Sequence, residues 1–141
     1  MQLASLCARG EHCRHDMMEK MRRWGMSEEA QARVVERLVR ERYVDEERYT
    51  RAFVHDKLAY NKWGRRKIEQ ALWMKHIDEE ISQRVLDEVA DADYVAALRP
   101  LLQQKRRCTR ASSSYELNQK LVRFALSRGF TYDIVMKSLS L

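Results

Sequence analysis

Three segments of the chain repeat one pattern of helix, break and helix, and this repetition limits the possible folds more than any other feature. Met21–Leu38 (MRRWGMSEEAQARVVERL), Leu72–Val89 (LWMKHIDEEISQRVLDEV) and Ala125–Leu141 (ALSRGFTYDIVMKSLSL) align without a gap through their central part. Gly25, His76 and Gly129 share the break position. Met26, Ile77 and Phe130 follow it, and then come Ser27, Asp78 and Thr131. A glycine or a tolerant polar residue suits the left-handed position that closes a helix. Ser, Asp and Thr suit an N-cap, because their side-chain oxygens accept an orphan backbone N–H. The apolar residue before each cap can staple the new helix to the chain entering it. Glu28, Glu29, Glu79 and Glu80 then fall in a first turn, where the helix dipole favours negative charge. A spacing near 50 residues implies small helical modules, each too small to be stable alone. The expected division is 1–44, 45–91 and 92–141.

Periodicity supplies the other helices. Residues 2–9 read as a short helix with Leu3 and Leu6 inward. Residues 13–24 place Met17, Met21 and Trp24 on one face. Residues 27–42 gather Ala30, Val34, Val35 and Leu38. Residues 45–60 start at Asp45 as N-cap, with Arg48 at the third helical position, and bury Tyr49, Phe53 and Leu58. Residues 64–75 bury Ile68 and Leu72, and residues 78–90 bury Ile81, Val85 and Leu86. Residues 92–106 bury Val95, Leu98 and Leu102, with a bend expected at Pro100. Residues 114–128 bury Leu117, Leu121 and Phe124, and residues 131–140 bury Ile134, Val135 and Leu139. Cys108–Ser114 has loop composition. With four glycines and one proline in 141 residues, the chain lacks the turn formers of a β-sandwich or barrel. The expected class is all-α.

No stretch approaches the roughly 20 apolar residues of a membrane span. The start, MQLASLCARGEHCRHD, lacks the apolar core of a secretory signal. Three cysteines are an odd number, so reduced thiols in the cytoplasm are expected rather than a disulfide framework.

The formal net charge is +6, unevenly spread. Residues 91–141 carry nine basic and four acidic side chains, with Lys105, Arg106, Arg107 and Arg110 close together. A second cluster is Lys62, Arg65, Arg66 and Lys67, with Trp63 inside it. Such clusters attract polyanions, nucleic acid above all. The competing reading of each is a solvated helix face that keeps the protein soluble. Cations at the start of a helix oppose its dipole, so Arg65, Arg66 and Lys67 call for a separate reason. Trp63 can stack on a base or fill a partner's pocket, but a large aromatic is more often core. Trp24 and Trp73 are read as core on the same ground. Arg22 and Arg23 occupy the repeat positions of Trp73 and Met74 and are candidates for a partner-facing surface.

Catalytic and metal chemistry find little support. Cys7, His12, Cys13 and His15 have the spacing C-x4-H-C-x-H, which matches no common zinc pattern. Cys7 is read as buried, Cys13 as a cap and the imidazoles as exposed. Cys108 lies between Arg107 and Arg110, which favours a reactive thiol, but no histidine is near it in sequence. Neither GxxxxGK[ST] nor GxGxxG occurs. No catalytic residue, cofactor or metal is expected.

The order and spacing of several pieces resemble one family. Tyr43-Val44-Asp45 followed by Arg48-Tyr49 and Phe53-Val54, then Trp63-Gly64-Arg65-Arg66-Lys67-Ile68 followed by Leu72, is similar to the central segment of the RecX proteins, which modulate the bacterial recombinase RecA. LASLCARGEHCRHDMMEKMRRWGM resembles the family's first two helices, and Leu121 to Phe130 resembles its last repeat. Cys13 stands where the family usually has a capping Ser, His76 where it has Gly, and Glu46 where it has a second Asp. The resemblance implies tandem three-helix modules forming an elongated, curved body that acts without enzymatic activity. It implies binding along the groove of the RecA–single-stranded-DNA filament and inhibition of ATP hydrolysis, strand exchange and SOS-repressor cleavage. It also implies DNA binding, with single strands the first candidate and double strands the second; the expected state is a monomer away from membranes. The filament- and DNA-binding candidates are Arg22, Arg23, Lys62, Trp63, Arg65, Arg66, Lys67, Lys105, Arg106, Arg107 and Arg110. The rival readings are a DNA-binding module of helix-turn-helix character without recombinase specificity, and an enzyme using Cys108 or Cys13.

Overall fold

The computed structural model describes residues 11–140. The helix expected at residues 2–9, with Leu3 and Leu6, and the burial of Cys7 lie outside them. The described residues form eight helices: α1 (Arg14–Arg23), α2 (Glu28–Arg40), α3 (Glu46–Ala59), α4 (Arg65–Met74), α5 (Glu79–Asp87), α6 (Asp91–Cys108), α7 (Ser114–Ser127) and α8 (Tyr132–Leu139). No strand occurs among them, and the all-α class is as read from the sequence. Each helix lies within a few residues of its expected bounds.

The repeated break is a repeated backbone structure. Gly25, His76 and Gly129 all have positive φ, at 79°, 59° and 92°. Met26 N–H donates to the Met21 carbonyl, Ile77 N–H to Leu72 and Phe130 N–H to Ala125. The shorter partner bonds run from Gly25 to Arg22, His76 to Trp73 and Gly129 to Leu126. This paired closure satisfies the last carbonyls of each helix. Ile77 and Phe130 are buried and Met26 half-buried, as expected of staples. The caps differ from one another. Ser27 Oγ accepts from Ala30 N–H at 3.2 Å, and Asp78 Oδ1 from Glu80 N–H at 2.8 Å. Thr131 holds extended backbone but makes no side-chain cap bond, contrary to expectation. Asp45 Oδ1 accepts from the Glu47 and Arg48 amides at 3.1 Å, as its N-cap reading requires.

The described residues pack into two compact units. One comprises residues up to Phe53 with Leu72–Val85, and the other Val54–Ala71 with residues from Leu86 onward. In the first, Met17, Met21, Val35, Leu38 and Val44 form a buried cluster. In the second, Tyr94, Val95, Leu98, Leu102, Leu121, Ala125, Phe130, Ile134 and Val135 form the larger core. Phe53, Leu58, Ile81, Leu117, Phe124 and Leu139 are half-buried rather than fully inside. Helix α6 runs unbroken through Pro100, which is exposed, as is Ala96, whose carbonyl loses a donor to the ring.

Two aromatic assignments are overturned. Trp24 is 49% exposed and Trp73 is 76% exposed. Trp24 caps α1 at its C-terminus, past the last inward position, Met21. Trp73 follows Leu72, which takes the inward position of α4. Cys13 occupies the N-cap of α1 but makes no side-chain cap bond. It is buried, and burial pushes its thiol up to about 11. The Arg14 amide is instead capped by the Glu46 carboxylate at 3.0 Å. Asp16 pairs with the Lys75 ammonium at 2.5 Å. His15 is half-buried and stacks on His76, with ring centroids 4.8 Å apart, so it is not the exposed imidazole expected.

Candidate functional site

The sequence places Lys62, Trp63, Arg65, Arg66 and Lys67 around the start of α4. Here the chain makes an unusual junction. Gly64 N–H donates to the Arg128 carbonyl at 2.8 Å, and Arg66 N–H to the Gly129 carbonyl at 2.9 Å. Arg128 Nη2 donates in return to the Asn61 carbonyl at 2.9 Å. The donor-rich start of α4 therefore faces the acceptor-rich end of α7, and opposite ends of two helix dipoles meet. The negative end of α7 offsets the penalty that cations would otherwise meet at the start of α4.

Most of this cluster is engaged internally. Arg65 Nη2 lies 2.8 Å from Asp87. Lys67 Nζ lies 4.7 Å from the centroid of the Trp63 ring and Lys57 Nζ 5.0 Å, each within cation–π range. Trp63 is half-buried, so it is neither a core residue nor an open stacking platform. Lys62 is half-buried and has positive φ, at 56°. Arg66 is exposed and makes no ion pair among the described residues.

The end of α6 is different. Lys105 Nζ sits 5.1 Å from the Phe124 ring, but its side chain is exposed. Arg106 borders a pocket of about 290 Å³ with Arg99, Leu102, Gln103, Ser138 and Leu139. Arg107 and Arg110 are exposed and, like Arg106, make no ion pair among the described residues. The connection to α7 starts one residue later than expected, since Cys108 ends α6. It is pinned at both ends. Thr109 Oγ1 donates to the Lys105 carbonyl at 2.6 Å, and Lys120 Nζ to the Arg110 carbonyl at 2.8 Å. The Glu116 carboxylate accepts from the Ser112 amide at 3.0 Å and from its hydroxyl. These bonds and Lys120 at 3.1 Å hold Glu116 down to about 2. The Glu116 carboxylate beside this basic run is thus already paired to a cation, while Arg106 and Arg107 in the last turn of α6 and Arg110 on the connection are exposed to solvent.

In the first unit, Arg22 pairs with Glu19, whereas Arg23 is exposed and makes no ion pair among the described residues. Trp73 and Met74, their counterparts in the repeat, are exposed as well. Among the described residues, no three His, Cys, Asp or Glu side chains converge as a metal centre requires. No helix among them is long and apolar enough to cross a membrane.

The sequence reading missed a groove of about 480 Å³ between α7 and the start of α8, lined by Tyr115, Asn118, Gln119, Val122, Arg123, Leu126 and Tyr132. The signal was present: Tyr115, Val122 and Leu126 recur at helical spacing on the face opposite Leu117, Leu121 and Phe124. Val122 packs against the edge of the core, which leaves Tyr115 and Leu126 of that second stripe exposed.

The chain matches family models described as "RecX, second three-helix domain" over residues 45–86 and "RecX, third three-helix domain" over residues 91–139. The first match covers α3–α5 and the second α6–α8. The Regulatory protein RecX of Clostridium perfringens strain SM101 is 30% identical over 120 residues. That alignment covers 84% of this chain and 56% of the relative, so the chain spans little more than half of that protein. The Regulatory protein RecX of Acinetobacter baylyi is 27% identical over 135 residues, 96% of this chain and 82% of the relative. The crystal structure of RecX from Lactobacillus salivarius superposes with a TM-score of 0.87 at 19% identity, covering 98% of this chain and 90% of that one. A fold of helices closed at Gly25, His76 and Gly129, matched twice in succession by consecutive three-helix domains, places this chain in the RecX family of regulatory proteins.

Proposed function

We propose that this protein binds the RecA filament on single-stranded DNA and inhibits its ATP hydrolysis, strand exchange and stimulated repressor cleavage. Membership of a family of regulatory proteins carries the reading. On this reading the protein is a cytoplasmic, monomeric binding regulator of three modules, 1–44, 45–91 and 92–141. It uses no cofactor and performs no catalysis of its own. Its exposed cations support a polyanionic partner. Arg106, Arg107 and Arg110 are the strongest contact candidates, followed by Arg66 and Arg23, because none of them makes an ion pair among the described residues. Arg22, Lys62, Trp63, Arg65, Lys67 and Lys105 are assigned supporting roles, since each is partly buried or has an internal partner.

The test is ATP hydrolysis by RecA on single-stranded DNA with this protein titrated in. Inhibition well below one molecule per recombinase subunit supports action on the filament. Inhibition that added DNA abolishes favours a second reading, a basic helical DNA-binding protein without recombinase specificity. The exposed arginines at the end of α6 support that reading equally.

A further inference from the structure

We infer that the groove between α7 and α8 binds unstacked bases of a single-stranded nucleic acid. This deepens the preceding reading and rests on it for the presence of such a strand. Tyr115 is 71% exposed and Tyr132 is 60% exposed, one from the first turn of α7 and the other from the first turn of α8. Exposed aromatic rings at the edge of a groove suit stacking, because every base has a π-face. Tyr115 is held in place: its hydroxyl accepts from Gln119 Nε2 at 2.8 Å. Val122 and Leu126 form the apolar wall, and Asn118 and Gln119 supply amide groups that can bond base edges.

The charge favours nucleic acid over an apolar protein segment. Among the described residues, Arg123 is the only charged side chain in the lining; it is exposed, and it makes no ion pair with any of them. No carboxylate among the described residues lines the groove. Glu116, the acidic residue nearest to Tyr115 in sequence, is occupied by Ser112 and Lys120. Arg110 lies on the connection that leads into α7. Phosphates bound at Arg110 would lie on the connection that leads into α7, whose first turn carries Tyr115. The phosphate contacts supply charge-driven affinity, and the groove adds a contribution that depends on the bases.

The deciding experiment compares two fluorescently labelled oligonucleotides of equal length and charge, one of deoxythymidines and one of abasic residues, by anisotropy with the whole chain. The proposal expects at least tenfold weaker binding of the abasic strand. It also expects the double variant Tyr115→Ala, Tyr132→Ala to lose that difference while retaining its salt dependence. Both residues are exposed, so the variant is expected to fold, and its melting temperature checks this. Equal affinity of the unaltered protein for the two strands would overturn the proposal whatever the variant does. So would a double variant that keeps the preference for the deoxythymidine strand; if that variant also no longer restrains RecA ATP hydrolysis, the groove holds protein. If instead the base preference and its loss are seen without any effect on RecA, the groove assignment stands and the recombinase reading falls.

Discussion

Gly64 and Gly129 meet backbone to backbone: a Cβ built on Gly64 would lie closer than 3.0 Å to the carbonyl carbon of Gly129 and to Phe130 N and Cα. No side chain can give way there, because the obstructing atoms are main chain. Gly64→Ala should cost about 3 kcal/mol, the upper end of the range for an overpacked core. For a chain of this length that corresponds to a melting temperature lower by about 10 °C. Gly25→Ala is the control. Gly25 also has positive φ, but no atom of the described residues would lie within 4 Å of a Cβ placed there, so only the backbone penalty of about 1 kcal/mol applies. Equal thermal shifts for the two variants would mean that the junction relaxes.

Alkaline pH should destabilise the protein. Burial raises the Cys13 thiol from 9.0 to about 11 and the Tyr94 hydroxyl from 10.0 to about 12. Burial raises Tyr49 as well. The folded state holds these protons more tightly than the unfolded state. Their contribution is therefore complete below about pH 9 and is lost as pH climbs through 11 and 12. Urea midpoints measured at neutral pH, near the unfolded thiol value and near the raised one should fall at the last step. Tyr49→Phe should flatten that fall, because it removes the proton while keeping the ring.

Charge reversal at Arg106, Arg107 and Arg110 should weaken binding to single-stranded DNA most at low salt. The slope of log affinity against log salt should shrink by about 0.7 for each lost phosphate contact. Titrations between roughly 50 and 200 mM salt measure it. An unchanged slope would move the polyanion contact elsewhere, with Arg66 and Arg23 next in line.

Trp73→Ala separates stability from recognition. At 76% exposure the ring contributes little to the fold, so the variant should melt within about 0.5 kcal/mol of the parent. Exposed tryptophan is common at the centre of protein interfaces. A loss of RecA inhibition without a loss of stability would place Trp73 at the partner contact.

The helices were legible because caps and closures are local. Ser27, Asp45 and Asp78 cap the helices that follow them, and the repeat column of Gly25, His76 and Gly129 predicted three left-handed closures. Long-range partners were not legible. Nothing near Arg14 in sequence announces that Glu46 caps it, nor does anything near Asp16 announce Lys75. Trp24 and Trp73 were misplaced because hydrophobicity alone does not say whether a residue at a helix end lies under the next element or beyond it. The basic clusters were found, but not their inequality. Arg65 has Asp87 and Lys67 has Trp63, whereas Arg107 and Arg110 are open. The groove at Tyr115 and Tyr132 escaped because the inner face of α7 accounted for its periodicity.

The bonds from Gly64 and Arg66 to the carbonyls of Arg128 and Gly129 join residues from the two successive three-helix matches. A protein engineer cutting the chain at residue 90 would obtain one fragment with the donors and another with the acceptors. Each would have to satisfy that helix end with water. Coexpressed, the two pieces have a reason to find each other, which makes the link near residue 90 a natural split point for a complementation pair.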